Sequence, residues 1–302
     1  MELGCVNLQP SKHNPAPSST WHHTPTSPLL FVTAHTTLLP HTARYWKPYR
    51  LEEWKLTVPS SQPPTSPSLM SATSTTPTFD REPPPGGYPQ GEEDTEAVLG
   101  VLRPLVEAGK KVLLVGHSSG GWVATQAARH DLQAPVRRSK GLAGGVIGIF
   151  YAGAFVIPVG ESIHSFFQPK DGSFVTPPFM TFHKHGAAGL GTIVNAEHFL
   201  FNDLDADSAK QWAATLTASP VMTTKLSNNA YSALPCAYLF LDGDLTLPRE
   251  YQEGMASFLS SQSGDTSIYY CPAGHSPHLS WIEGMVDTIP TFVEKITTES
   301  TA

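Results

Sequence analysis

Apolar and polar positions change rhythm several times along the 302 residues. Before residue 92 two short runs stand out. Residues 29–33 read Leu-Leu-Phe-Val-Thr, and residues 53–58 alternate as Glu-Trp-Lys-Leu-Thr-Val; both patterns predict strands. From residue 92 the signal strengthens. Ala97, Val98, Val101, Leu102, Leu105 and Val106 recur at helical spacing behind Glu92-Glu-Asp-Thr-Glu96, acids that suit the positive end of a helix dipole. Gly109 with Lys110 and Lys111 ends that helix. Strands are then expected at 112–115, within 144–158, at 237–241 and at 267–271, with helices at 122–129, 249–261 and 279–297. Helices alternating with buried strands predict an α/β fold: a mostly parallel sheet flanked by helices on both faces.

Two stretches break the alternation. Proline is concentrated early, with 16 of 28 in residues 1–90. Residues 1–28, rich in Pro, Ser, Thr and His, read as a disordered tail, and 59–91 as a long Pro/Ser/Thr-rich loop. Residues 29–159 and 234–298 then form the two parts of one core, separated by an insert at 160–233. The insert carries Phe166, Phe167, Phe174, Phe179, Phe182, Phe199, Phe201 and Trp212, with helical candidates at 186–200 and 205–218. A helical cap is expected there, part of its aromatic content forming its own core and the rest lining a pocket.

Composition narrows the function. Hydrophobic residues make up 40%, enough for a sizeable core, while charged residues make up only 15%, against roughly 25% in typical proteins. A net charge of −7 and a pI near 6.0 argue against nucleic-acid or anionic-membrane partners and leave a small molecule as the expected one. Cys5, Cys236 and Cys271 are too few and odd in number for a disulfide framework, which fits a reducing compartment. His22-His23 and His183-x-His185 are pairs without companions, read as surface histidines, so no metal site and no cofactor are expected. The first residues lack a basic segment followed by an apolar core, and the longest apolar stretch, 144–159, is short and rich in glycine. A cytoplasmic protein is the expectation.

The chemistry centres on Gly116-His117-Ser118-Ser119-Gly120, placed where apolar residues 112–115 run into a helix. This is the G-x-S-x-G pattern in strand–turn–helix context, which raises one serine above the sheet edge at a helix N-terminus. The same turn could instead bind an anion, but neither G-x-G-x-x-G nor Gly-Lys-Ser/Thr is present. A serine hydroxyl needs a base, and the base an acid. Strand 267–271 leads into Pro272-Ala-Gly-His275-Ser-Pro-His278, making His275 the candidate base and His278 a pocket-wall or helix-surface residue. Strand 237–241 leads into Asp242-Gly-Asp244. Asp244 is preferred as acid over Asp242, which can satisfy its own Asp-Gly turn, and over Glu161, which follows the preceding strand. An oxyanion formed at Ser118 would take the Ser119 N–H as one donor, with Ala34 or His35 as candidates for the other.

Val115-Gly-His-Ser-Ser-Gly-Gly121, Phe201-Asn-Asp-Leu204, residues 238–248 with Tyr251-Gln252, and Gly274-His-Ser-Pro277 together resemble the α/β-hydrolase superfamily. They are similar in particular to fungal small serine hydrolases distantly related to plant methylesterases and hydroxynitrile lyases. The resemblance covers roughly residues 92–296. It implies the α/β-hydrolase fold with a helical cap inserted before the acid-bearing strand, Ser118 as nucleophile, His275 as base and Asp244 as acid. It also implies action on esters, lactones or thioesters, often in secondary-metabolite (polyketide) pathways. The N-terminal third departs from the pattern: Leu30-Phe-Val-Thr-Ala-His35 has no glycine where similar proteins carry a Gly-containing oxyanion loop. Three readings follow: a cofactor-free serine hydrolase working through an acyl-enzyme, a lyase or cyclase using His275 without acylation, and a weakly catalytic ligand-binding protein.

Overall fold

In this computed structural model, residues 3–4, 29–32, 80, 82–264 and 266–299 are described. The elements run β1 (Leu3–Gly4), β2 (Leu29–Val32), α1 (Glu92–Glu107), β3 (Lys111–His117), α2 (Gly120–Ala127), α3 (Ala134–Ser139) and β4 (Gly145–Ala152). The insert follows with α4 (Ile163–Phe166), β5 (Met180–Phe182), β6 (Leu190–Ile193), α5 (Ala196–Phe199), α6 (Ala206–Ala213) and β7 (Ser219–Pro220). The chain then returns through β8 (Cys236–Leu241), α7 (Arg249–Ser263), β9 (Thr266–Cys271), α8 (Pro277–Ser280) and α9 (Ile282–Glu299).

The main sheet has the order β1-β2-β3-β4-β8-β9. From β2 to β9 every pairing is parallel, and only the β1–β2 edge is antiparallel. Side chains alternate across it, as the strand period of two requires. Val112, Leu114, Ile149, Tyr151, Tyr238 and Phe240 point into one core with Val98, Leu102, Trp122, Met255 and Leu259 from α1, α2 and α7. Leu113, Val115, Phe150, Ala152, Leu239 and Leu241 point the other way, onto Met285, Ile289, Phe292 and Ile296 of α9. With both faces covered, β3, β4 and β8 are apolar almost without interruption, as expected of inner parallel strands.

The parallel order stacks the C-terminal ends of β3, β8 and β9 along one side, so residues 118, 242–248 and 272–278 all leave the sheet at that side. This is the edge at which open α/β sheets place their ligands.

Leu3 and Gly4 pair with Val32 and Phe31, using the backbone groups that the edge of β2 exposes, while the rest of the stretch 1–28 lies outside the described residues. Two expectations about the insert are corrected. Residues 186–200 are not one helix. A 3-10 turn at 186–188, strand β6 and the short α5 share that segment, because three glycines and the β-branched run Thr192-Ile193-Val194 disfavour a helix. β6 pairs antiparallel with β5 and β7, so the insert holds a small sheet as well as helices. The helix expected over 205–218 stops at Ala213, where Thr215, Thr217 and Pro220 follow. The strand expected at 53–58 and most of the loop at 59–91 lie outside the described residues.

Phe292 is fully buried on α9 with its ring 6.0 Å from that of Phe150. Phe292→Ala is expected to lower unfolding free energy by about 3–5 kcal/mol, whereas Tyr270→Ala, at a position 58% exposed, should change it far less. Denaturant unfolding of both variants checks the contrast.

Candidate active site

The turn after β3 is held by close packing. Ser118 has φ of 52°, a left-handed conformation unusual for a residue with a Cβ. A Cβ at Gly116 would lie 2.7 Å from the Gly121 Cα, and one at Gly121 would lie 2.7 Å from the Phe155 carbonyl oxygen. Both positions therefore exclude side chains. The Ser118 carbonyl accepts N–H bonds from Gly121 at 3.0 Å and from Phe155 at 2.9 Å, which fastens the turn to α2 and to the segment leaving β4. Ser119 follows as the N-cap of α2, so the Ser118 hydroxyl stands at a helix N-terminus.

Ser118, Asp244 and His275 come together from three separate loops. The His275 Nε2 lies 3.2 Å from Ser118 Oγ, and its Nδ1 lies 2.8 Å from Asp244 Oδ2. All three residues are buried. An ionised carboxylate only accepts, so Nδ1 donates to Asp244, and the neutral ring turns the lone pair of Nε2 toward the serine hydroxyl. The other Asp244 oxygen, Oδ1, accepts the N–H groups of Thr246 at 2.8 Å and Leu247 at 2.9 Å. Such an arrangement can carry a proton from a hydroxyl to an imidazole and stabilise the charge left on the ring.

Two side chains not anticipated from the sequence brace these loops. Gln252, fully buried on α7, accepts the Leu241 N–H at 2.9 Å and donates to the carbonyls of Leu241 at 3.0 Å and Leu247 at 2.9 Å. It thereby closes the loop around Asp244 from inside. His117 Nε2 lies 2.6 Å from the His275 carbonyl oxygen. A carbonyl accepts, so this nitrogen carries the proton and holds the backbone of His275. The hint of either in the sequence is membership of a motif, His117 beside Ser118 and Gln252 behind the strand–loop unit at 238–248, with no sign of the bonds they make.

The remaining candidates fall elsewhere. Asp242, half exposed, pairs with Arg249, whose guanidinium lies 4.3 Å from the centre of the Phe240 ring. The bonds to turn N–H groups expected of Asp242 are made by Asp244 instead. Glu161 accepts from Lys170 and Ser165, bonds that hold its carboxyl below the ordinary range. His278 sits on α8, partly buried, its ring 5.1 Å from His117, which in turn lies 4.9 Å from His275. His183 bonds Thr192 across β5 and β6, and His185 is mostly covered, so this pair belongs to the insert rather than to an open surface. Ala34, His35 and the His22-His23 pair lie outside the described residues. Among the described residues no three His, Cys, Asp or Glu side chains are grouped to hold a metal ion, and no helix is long and apolar enough to cross a membrane.

Two outcomes follow. Gln252→Ala removes three hydrogen bonds to buried backbone, of whose groups the Leu241 carbonyl keeps the Asp244 N–H, and is expected to lower unfolding free energy by about 2–4 kcal/mol, measured by denaturant titration. Burial, with His275 adding to it, pushes the His278 imidazole down from 6.5 to about 4. Between these values the unfolded chain takes up a proton that the native state refuses, so stability falls as pH drops from 6.5 toward 4. His278→Gln should flatten the decline of melting temperature over that window.

The alpha/beta hydrolase family model matches residues 39–288. The alpha/beta hydrolase nvfD of Aspergillus novofumigatus is 29% identical over 195 residues, which span 64% of this chain and 74% of the relative. The crystal structure of a pyrethroid hydrolase from Sphingobium faniae shares the fold, with a TM-score of 0.51 at 18% identity over 66% of this chain and 78% of its own. A family match across most of the chain joins the sheet order and the strand–turn–helix geometry at Ser118: the chain belongs to the alpha/beta hydrolase family and is an enzyme of the hydrolase type.

Proposed function

We propose that the enzyme hydrolyses an ester, lactone or thioester of a small apolar or aromatic molecule through an acyl-enzyme on Ser118. The observation that carries this reading is the continuous line of hydrogen bonds from Ser118 Oγ through His275 to Asp244, at 3.2 and 2.8 Å. Ser118 Oγ attacks the acyl carbon as His275 Nε2 takes its proton. The tetrahedral oxyanion is received by the Ser119 N–H at the start of α2, with Ala34 as the second donor. Collapse expels the alcohol or thiol, which takes the proton back from His275. Water, deprotonated by the same nitrogen, then cleaves the acyl-enzyme. Asp244 orients the ring and offsets its charge, its other oxygen held by the Thr246 and Leu247 N–H groups.

The apolar substrate class is supported by a run of aromatic rings that starts at the residue bonded to the Ser118 carbonyl. Phe155, whose N–H holds the Ser118 carbonyl, is only partly buried. Its ring lies 4.9 Å from Phe167, which lies 5.6 Å from the half-exposed Tyr251. A place in fungal secondary metabolism rests on the resemblance to fungal hydrolases and on the similarity to a hydrolase of Aspergillus novofumigatus.

Ser118→Ala is expected to abolish both turnover of p-nitrophenyl esters and labelling by a fluorophosphonate. Asp244→Asn should lower kcat by roughly 10⁴-fold with the fold intact, because the amide selects the wrong imidazole tautomer. Turnover that survives Ser118→Ala but is lost in His275→Ala would replace acylation with proton abstraction by His275 alone. Folded wild-type protein that resists labelling would remove the acyl-enzyme from the mechanism.

A further inference from the structure

Four hydrogen bonds run from residues 199–203 of the insert to the loops and the helix around Asp244 and His275. The Thr246 hydroxyl donates to the Phe199 carbonyl at 2.6 Å, and Asn202 Nδ2 donates to the Gly243 carbonyl at 2.9 Å. On the other side, Asp203 Oδ2 accepts the Gly274 N–H at 2.6 Å and the Ser280 hydroxyl at 2.5 Å. Gly243 and Gly274 are the residues immediately before Asp244 and His275. The approach is close: a Cβ at Gly274 would lie 2.3 Å from Asn202 Oδ1 and 2.9 Å from Asp203 Oδ1, so a side chain there would have to displace the two hydrogen-bonded side chains.

The base from which these side chains reach is itself fixed. Leu200 and Phe201 are buried with Ala196 and Ala209, and Leu204, Trp212 and Leu279 pack around them. Leu279 comes from α8, so the same small core also grips the element that follows His275. The chemistry of each reaching side chain suits its partner. Two donors converge on one Asp203 oxygen, which a carboxylate satisfies with charge-assisted bonds. The Gly243 carbonyl requires a donor, which the amide of Asn202 has and a carboxylate lacks.

We propose that Asn202 and Asp203 are positioning residues for the Ser118 chemistry: by holding Gly243 and Gly274 they set the spacing of Asp244, His275 and Ser118. This rests on the acyl-enzyme reading above. Neither side chain is placed on the reacting atoms. Their effect passes through the backbone of the residue next in the chain, so it falls on the rate of the bound complex rather than on substrate affinity.

The test uses the full chain, with p-nitrophenyl esters as substrate and fluorophosphonate titration to count competent serines. Asp203→Ala and Asn202→Asp are expected to lower kcat per titrated site by roughly 10- to 100-fold, with KM within about threefold of wild type. Asp203→Asn, whose amide oxygen can still accept both bonds, should recover most of the loss. Ser280→Ala removes one of the two donors to Asp203 and should give a smaller drop in kcat, which keeps the test available if Asp203→Ala does not fold. Loss of titratable sites with kcat per site unchanged would show a merely structural role and overturn the inference, as would wild-type kcat in Asn202→Asp and Ser280→Ala together. Wild-type protein that neither labels nor turns over ester would instead overturn the Ser118 reading, and this inference with it.

Discussion

A left-handed backbone at Ser118 costs a residue with a side chain about 1–3 kcal/mol, and it persists only where the surroundings over-determine it. Here they do so from three directions. Gly116 and Gly121 touch across the turn, the Phe155 N–H grips the Ser118 carbonyl, and α2 begins two residues later. The rest of the architecture follows from keeping that turn in place. Its strand must be central and buried on both faces, which β2 and β4 and the two cores ensure. Its helix must lie flat on the sheet, which is why Gly121 has no room for a methyl group against the exit of β4.

Around that fixed point the loops of Asp244 and His275 are irregular and would be free to wander if only their strands held them. Each is tied more than once. Gln252 closes the Asp244 loop from one side and Asn202 holds it from the other. His117 holds the carbonyl of His275, and Asp203 holds the N–H just before it. The bonds of Asn202, His117 and Asp203 join parts of the chain far apart in sequence, and they satisfy backbone groups at a crowded edge of the sheet.

Much of this was legible in the sequence where the signal is local. Ser118, Asp244 and His275 each lie a few residues past an apolar run, and parallel strands deliver such positions to one edge. The braces were legible only as members of motifs, not as braces, because nothing local in Gln252, His117, Asn202 or Asp203 says which backbone groups they hold. The partner of His117 is 158 positions away and that of Asp203 is 71. The insert was misread for a related reason. Its strands are as short as two to four residues, too brief for a period of two to assert itself, and its glycines serve turns and close pairing at once. Asp242 and Asp244 are separable in the sequence only through the Asp-Gly turn that Asp242 could satisfy. What divides them in space is Arg249, which draws Asp242 outward onto its own guanidinium.

The contact between Gly274 and Asn202 has a bearing on how this molecule can be altered. Inserts over an α/β core invite treatment as exchangeable parts, to be replaced when a different substrate is wanted. Residues 199–203 belong by their bonds to the core beneath them, and the glycine at 274 is matched to the amide above it with no room to spare. A transplanted insert that omits this segment would leave a notch at Gly274 and two loops without their outer support. The natural seam for such a graft lies on either side of residues 196–213, with that block travelling with the sheet rather than with the insert.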